Sequence, residues 1–239
     1  MRKVLEIGGM VAAVVLVAFG IAAIVMSVNG TNTVNSNLKA EYITGSPDMT
    51  TKAIQPEVAA INAAQNKLVA QFKAVGTTFT PTPVAAPSCS VAGDQVSSGD
   101  SARCFAQYMR IHALGGTNGL VYAQMGRYVA KEGTPFKLTD GNGGTSDIKY
   151  AVIDETTTQP VSNGARNLWV TETALTTALN ASYMADRLSM FGLVVGIALL
   201  LSGIGFGVLA VGGALRNPQT AFRFLAPKER GGATPAVTA

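Results

Sequence analysis

The stretch "LSMFGLVVGIALLLSGIGFGVLAVGGAL", Leu188–Leu215, contains no charged residue and decides the fold of this chain. A helix needs about 20 residues to cross the roughly 30 Å hydrocarbon core of a membrane. A second apolar block, Val4–Val28, contains a single charge, Glu6. We therefore expect two transmembrane helices, at residues 4–28 and 188–215.

The N-terminal block also resembles a secretory signal, because Arg2 and Lys3 precede it as a charged leader region would. A signal peptide, however, has an apolar run of about 7–15 residues, and this run is longer. We expect an anchor that is not cleaved.

The positions of the basic residues predict the orientation. Arg2 and Lys3 lie at one end, and the only acidic residues in either flank are Glu6 and Glu229. The other end carries Arg216, Arg223, Lys228 and Arg230. Lysine and arginine accumulate on the cytoplasmic side, so residues 1–3 and the basic tail at 216–239 are predicted to be cytoplasmic. The net charge of +4 belongs to these flanks, which leaves no basic surface for nucleic acid.

The protein is then expected in the plasma membrane, and residues 29–187 form a domain on its extracytoplasmic side. This segment has twelve basic and twelve acidic residues and contains both cysteines, Cys89 and Cys104. An even number of cysteines in an oxidising compartment favours a disulfide between them. The alternative is a pair of buried thiols.

Apolar spacing predicts that this domain is mainly α-helical. The first helix begins at Ser46, with Pro47 and Asp48 in its first turn, or at the second possible start, Gln55, and ends near Gly76. A proline-containing connector follows, and Asn29–Gly30 is a possible break after the first membrane helix.

The second half of the domain is predicted to contain two further helices and a loop region. One helix begins at a cap of Asp100 or Ser101 and ends at Gly115–Gly116, and a short helix occupies residues 118–133. Residues 134–164 are a turn-rich loop region with one strand or irregular structure. A stalk helix at 165–187 continues into the second membrane helix, with Trp169 packed on the domain.

The single histidine, His112, limits the chemistry that the chain can perform. A metal triad of two histidines and one carboxylate cannot form, and Cys104 lies about 12 Å from His112 along one helix. We expect a structural or surface histidine, no catalytic residue, no metal and no cofactor. Asp140 and Asp147 flank a glycine-rich turn, for which calcium binding is the alternative to a simple turn.

Small residues recur along the second membrane helix. Gly192 and Gly196 are four residues apart, as are Gly203 and Gly207. This spacing allows close approach of helix backbones. We predict a packing face there, with the first helix or another subunit as its partner.

Three stretches carry a resemblance: "ITGSPDMT" at 43–50, "CFAQYMRIHAL" at 104–114 and "ARNLWVTETALTTALN" at 165–180. They resemble a family of uncharacterised two-pass membrane proteins of actinobacteria. Members often carry the label of aromatic ring-opening dioxygenase, a chemistry that one histidine does not support. The resemblance implies the architecture and no functional residue.

These observations predict a non-enzymatic integral membrane protein, an accessory, scaffold or interaction subunit of an envelope or membrane complex. Its expected partners are the lipid bilayer and other membrane proteins, or a second copy through the second membrane helix. The alternatives are an exported ligand-binding or sensing domain, indicated by an apolar pocket, and an enzyme, indicated by a cleft with shifted carboxylate pKa values. An exposed apolar patch on the domain or stalk would favour the first interpretation.

Overall fold

A computed structural model of the chain describes residues 2–140 and 144–212. The protein is mainly helical, as predicted, and its described part divides into two compact units. One contains residues 2–29 and 188–212, and the other contains Gly30–Arg187. The predicted basic tail, 216–239, lies outside the described residues, as do Met1 and the side chains of Arg2 and Lys3.

Four helices form the framework. They are α1 (Arg2–Ala40), α2 (Gln55–Ala74), α3 (Gly99–Gly116) and α4 (Gly164–Val211). The continuous helix predicted from the stalk into the second apolar block is confirmed by α4.

Helix α1 extends eleven residues beyond Asn29, so the predicted break at Asn29–Gly30 is wrong. Glycine and asparagine weaken a helix by only about 1 kcal/mol or less each. Leu38 is buried in the hydrophobic core of the 30–187 unit, and Val34 packs against it. Burial of this apolar pair outweighs the local preference.

Helix α2 begins at the second of the two predicted positions, Gln55. Ser46 does not cap a helix, because its hydroxyl donates to the carboxylate of Asp48 and stabilises a turn instead. The predicted end is confirmed, since Gly76 follows the helix with a φ of 78°, a conformation that glycine adopts without strain.

The proline-containing connector after α2 is held by amide side chains. Gln65 of α2 accepts from the Thr82 N–H at 2.7 Å and donates to the Thr82 carbonyl at 2.8 Å. Asn62 makes the same pair of bonds with Val84, and Gln124 donates to the Thr80 carbonyl at 2.8 Å. Three alternate residues of the connector are therefore fixed by side chains in the manner of a strand.

The cap of helix α3 lies two or three residues earlier than predicted. Ser98 is the cap, and it forms a reciprocal capping box with Ser101. The predicted end at Gly115–Gly116 is confirmed.

The prediction of a short helix at 118–133 is wrong. Residues Tyr122–Gln124 form one 3-10 turn, and β1 (Tyr128–Val129) pairs antiparallel with β2 (Gly144–Thr145). A side chain at Gly126 would overlap the backbone of Thr145, so close strand approach replaces the helix. The loop region at 144–163 adds a 3-10 turn, Ile148–Tyr150, and single bridges.

Trp169 is 3% exposed and packs in the core of the 30–187 unit, as predicted. Its indole N–H donates to the Leu120 carbonyl at 2.8 Å. This bond attaches α4 to the turn that follows α3, where Thr117 and Leu120 are fully buried.

Candidate functional site

The two apolar helix segments pack against each other in an antiparallel pair. Contacts run in opposite order along the two helices, from Ser27 beside Gly192 to Ala13 beside Gly207. The contacting residues of α1 repeat with spacings of four and three: Ala13, Val17, Gly20, Ile24 and Ser27. This is the spacing of a coiled-coil seam.

Three of the four predicted glycines lie at the closest points of this seam. A Cβ atom at Gly196 would meet the Ile24 side chain at 2.8 Å, and one at Gly203 would meet the backbone nitrogen of Val17 at 2.8 Å. A Cβ atom at Gly192 would lie 2.6 Å from the Ser27 hydroxyl oxygen. Gly207 is in ordinary contact with Ala13, at 3.7 Å. The glycine face of α4 is thus covered by α1 of the same chain.

Both helices are long and apolar enough to cross a membrane, and only 17% of the most apolar window of each is buried within the protein. Large apolar side chains face outward on both, among them Phe19, Phe191 and Leu201, each more than 60% exposed. Such a surface is typical of helices in contact with lipid.

In the 30–187 unit, Cys89 and Cys104 form a disulfide. It joins the end of the connector to the first turns of α3. The buried Tyr108 hydroxyl donates to the Cys89 carbonyl at 2.7 Å, which fixes the same junction a second time. Burial raises the pKa of Tyr108, and the Thr51 hydroxyl partly opposes this rise.

The single histidine lies between two carboxylates, a neighbourhood that the sequence does not reveal. His112 on α3 places Nδ1 3.0 Å from the Glu57 carboxylate of α2 and Nε2 3.5 Å from that of Asp48. One ligand atom from each of the three residues lies within 4.8 Å of the other two. The side chain of His112 is 26% exposed.

The backbone fixes the positions of both carboxylates. The turn of Asp48 is tied to the segment before α3, since the Val91 N–H donates to the Met49 carbonyl at 3.2 Å. On α3, Gly115 leaves room for the Glu57 carboxylate, which a Cβ atom there would overlap. The pKa of Asp48 is lowered, chiefly by the hydrogen bond from the Ser46 hydroxyl, and partial burial opposes this shift.

A cleft of about 490 Å³ lies between α3 and the 164–187 part of α4. Arg103 stacks on the ring of Tyr183 at 4.6 Å, and Arg110 stacks on Trp169 at 5.4 Å. Glu172, 5% exposed, lies on the α4 side. The cleft is open, and both polar and apolar side chains line it.

A second groove, of about 480 Å³, is predominantly apolar and follows α4 itself. Val170 is 56% exposed, and Tyr122, 43% exposed, forms one wall. The Arg166 guanidinium stacks on Tyr122 at 3.9 Å. The groove is lined by Tyr122, Trp169, Val170, Thr173, Ala174 and Thr177.

Sequence reasoning located the cysteines and the glycines but missed Asp48 and Glu57 as neighbours of His112. They are separated from it by 64 and 55 residues, so no local spacing could reveal them. The seam on α1 was also missed, although its spacing of four and three is visible in the sequence. Calcium binding was the alternative for the glycine-rich turn between Asp140 and Asp147. Residues 141–143 of this turn lie outside the described part. Asp147 accepts from the Lys149 N–H at 2.9 Å, as in a simple turn.

No family model, no curated protein and no solved structure matches this chain.

Proposed function

We propose that this protein is a non-enzymatic two-pass membrane protein that acts as an accessory or interaction subunit of a membrane or envelope complex. The observation that carries the proposal is the exposed apolar groove on α4 at Tyr122, Val170 and Ala174. An exposed apolar surface of this kind is more common at interaction sites than elsewhere on a protein.

The shape of the groove favours a helix as the bound element. Val170, Ala174 and Thr177 recur at spacings of four and three residues along α4, and the last two are small. Small side chains at that spacing let a second helix approach closely. Its partner in this proposal is therefore a helical segment of another membrane protein or of a second copy.

The glycine seam supports the same assignment by elimination. Since α1 covers Gly192, Gly196 and Gly203, self-association through that face of α4 would require the helix pair to separate. A partner can bind the groove on α4 while the helix pair stays together.

The orientation is part of the proposal. Both termini are cytoplasmic and residues 29–187 are extracytoplasmic, which is supported by the basic residues of the flanks and by the disulfide. Membership of the actinobacterial two-pass family is proposed on the three stretches quoted above.

Hydrogen bonds from Ser46 and Thr157 lower the pKa of Asp48 and of Asp154. A general acid at neutral pH needs a raised pKa, so neither of these two carboxyl groups is suited to that role.

The second candidate function is ligand binding in the cleft between α3 and α4. Arg103 and Arg110 stack on aromatic rings there, and a guanidinium in that position binds carboxylate or phosphate groups. Glu172 in the same cleft opposes an anion, so this function ranks second.

Site-specific photocrosslinking in native membranes tests the interaction role. Benzoylphenylalanine replaces Val170 in the groove, and in a matched control it replaces Glu155, an exposed residue of a turn in the same unit. We expect a discrete protein adduct from the Val170 variant alone. A third variant adds Thr177→Arg, which places a charge in the groove, and should abolish the adduct.

The proposal fails if the two positions give the same adducts, or if Thr177→Arg leaves the adduct unchanged. Labelling by a membrane-impermeant maleimide tests the orientation separately. A cysteine at Thr156 should react in intact cells, whereas one at Thr238 in the tail should react only after lysis.

A further inference from the structure

We propose that His112 and Asp48 bind a divalent transition-metal ion of the zinc class, and that Glu57 orients the imidazole for this purpose. The site is independent of the groove on α4 and of the interaction role proposed above.

The argument begins with the hydrogen bond on the Glu57 side of the ring. A carboxylate accepts hydrogen bonds only, so the 3.0 Å contact requires a proton on Nδ1 of His112. Metal-binding histidines show this arrangement, in which the second ring nitrogen donates to a carboxylate that fixes the tautomer and the ring orientation. Gly115 gives the Glu57 carboxylate the space to take this position.

The other ring nitrogen then carries a lone pair. Nε2 is buried, has no hydrogen-bond partner among the described residues and faces the Asp48 carboxylate at 3.5 Å. The Nε2 lone pair and the Asp48 carboxylate oxygen repel each other at this separation, so a neutral imidazole leaves Nε2 without an attractive contact. A cation between the two atoms converts the repulsion into binding.

The separation of the two atoms fits a bridging metal ion better than a shared proton. A proton shared between an imidazolium and a carboxylate brings nitrogen and oxygen to about 2.7–2.9 Å. Two ligands about 2.05 Å from a tetrahedral zinc ion lie about 3.4 Å from each other. The observed 3.5 Å is close to the second value.

Charge and access agree with this assignment. The two carboxylates of Asp48 and Glu57 supply two negative charges, which match one divalent cation. The side chain of Asp48 is 46% exposed, so solvent reaches the site and supplies the remaining ligands. Nitrogen and carboxylate donors together favour zinc, cobalt and manganese over calcium.

The test measures metal binding to the full-length protein in detergent, prepared without a histidine tag and stripped with a chelator. Zinc is titrated by calorimetry, and cobalt is titrated by visible absorption as a report on coordination. We expect one equivalent of each metal to bind. We expect at least a 100-fold loss of affinity in His112→Gln and Asp48→Asn, and a 10- to 100-fold loss in Glu57→Gln.

Glu155→Gln serves as the matched control, because it removes an exposed carboxylate elsewhere in the same unit and should bind as the wild type does. Fluorescence of the single tryptophan, Trp169, shows that each variant is folded. If His112→Gln is destabilised, Asp48→Asn still tests the proposal, because the side chain of Asp48 is half-exposed and its replacement should leave the fold intact. Binding that is absent in the wild type, or equal in the wild type, His112→Gln and Asp48→Asn, overturns the proposal.

Discussion

Replacing Gln65 by leucine removes three hydrogen bonds from the interior of the 30–187 unit without changing the size of the side chain much. Gln65 is 1% exposed, and its amide is bonded to both backbone groups of Thr82 and, at 3.0 Å, to the Gly119 carbonyl. Leucine can replace none of these bonds. The three backbone groups then stay in place without their partners.

The expected cost follows from the burial of those groups. Leaving a buried polar group without a partner costs about 1–3 kcal/mol. We assign about 1 kcal/mol to each group of the half-buried Thr82 and about 2 kcal/mol to the buried Gly119 carbonyl. The apolar gain of leucine offsets about 1 kcal/mol. The net loss is about 3 kcal/mol, which lowers the Tm by roughly 6–12 °C for a unit of this size.

Thermal unfolding of the full-length protein in detergent measures this loss. Fluorescence of Trp169, which is buried in the same unit, reports the transition. Gln71→Leu is the matched control, because Gln71 lies on the same helix and is exposed. A Tm for Gln65→Leu within 2 °C of the control would refute the view that amide side chains hold the connector.

Three further predictions concern other parts of the chain. The double change Cys89→Ser and Cys104→Ser opens a loop with a sequence separation of 15 residues. It should lower the free energy of unfolding by about 3 kcal/mol, the chain-entropy cost of such a loop, in the same thermal unfolding assay. Reduction of the wild type should lower it by the same amount. Gly196→Leu should separate the helix pair, whereas Gly205→Leu, where a side chain meets open space, should not; disulfide trapping between cysteines introduced in α1 and α4 distinguishes them. Asp154 has a lowered pKa because it accepts from the Thr157 N–H, so its contribution to stability is present above the usual aspartate pKa and is lost as the pH falls through the lowered value. Asp154→Asn should therefore flatten the dependence of the Tm on pH below about pH 4, and an unchanged profile would count against this role.

The sequence predicted the features that depend on composition and spacing along one helix. The apolar blocks, the Gly76 stop and the face of α3 around Tyr108 and Ile111 are of this kind, because the periodicity of a buried helix is written in neighbouring residues. The pairing of Cys89 with Cys104 was predictable since there were only two cysteines.

The errors arose where distant contacts decide the local structure. Residues 118–133 have apolar spacing that suits a helix, yet Tyr128 and Val129 form a strand because they pair with Gly144–Thr145. Ser46 and Pro47 form a good helix start by composition, but bonds to the segment before α3 hold their chain in a turn. The cluster at His112 depends on the packing of α2 against α3, which one sequence does not specify.

The connector held by Gln65 and Asn62 is also protected against pairing with another chain. Pro81 and Pro83 have no N–H, and the N–H groups of Thr82 and Val84 are bonded to amide side chains of α2. An extended segment with free N–H and C=O groups along its length is a template for pairing with another chain. The prolines remove the N–H groups from one edge of the segment, and α2 covers those of the other edge. In the folded protein the segment is bound as a strand by its own helix, and Pro81–Val84 offers no free N–H group to a neighbouring chain.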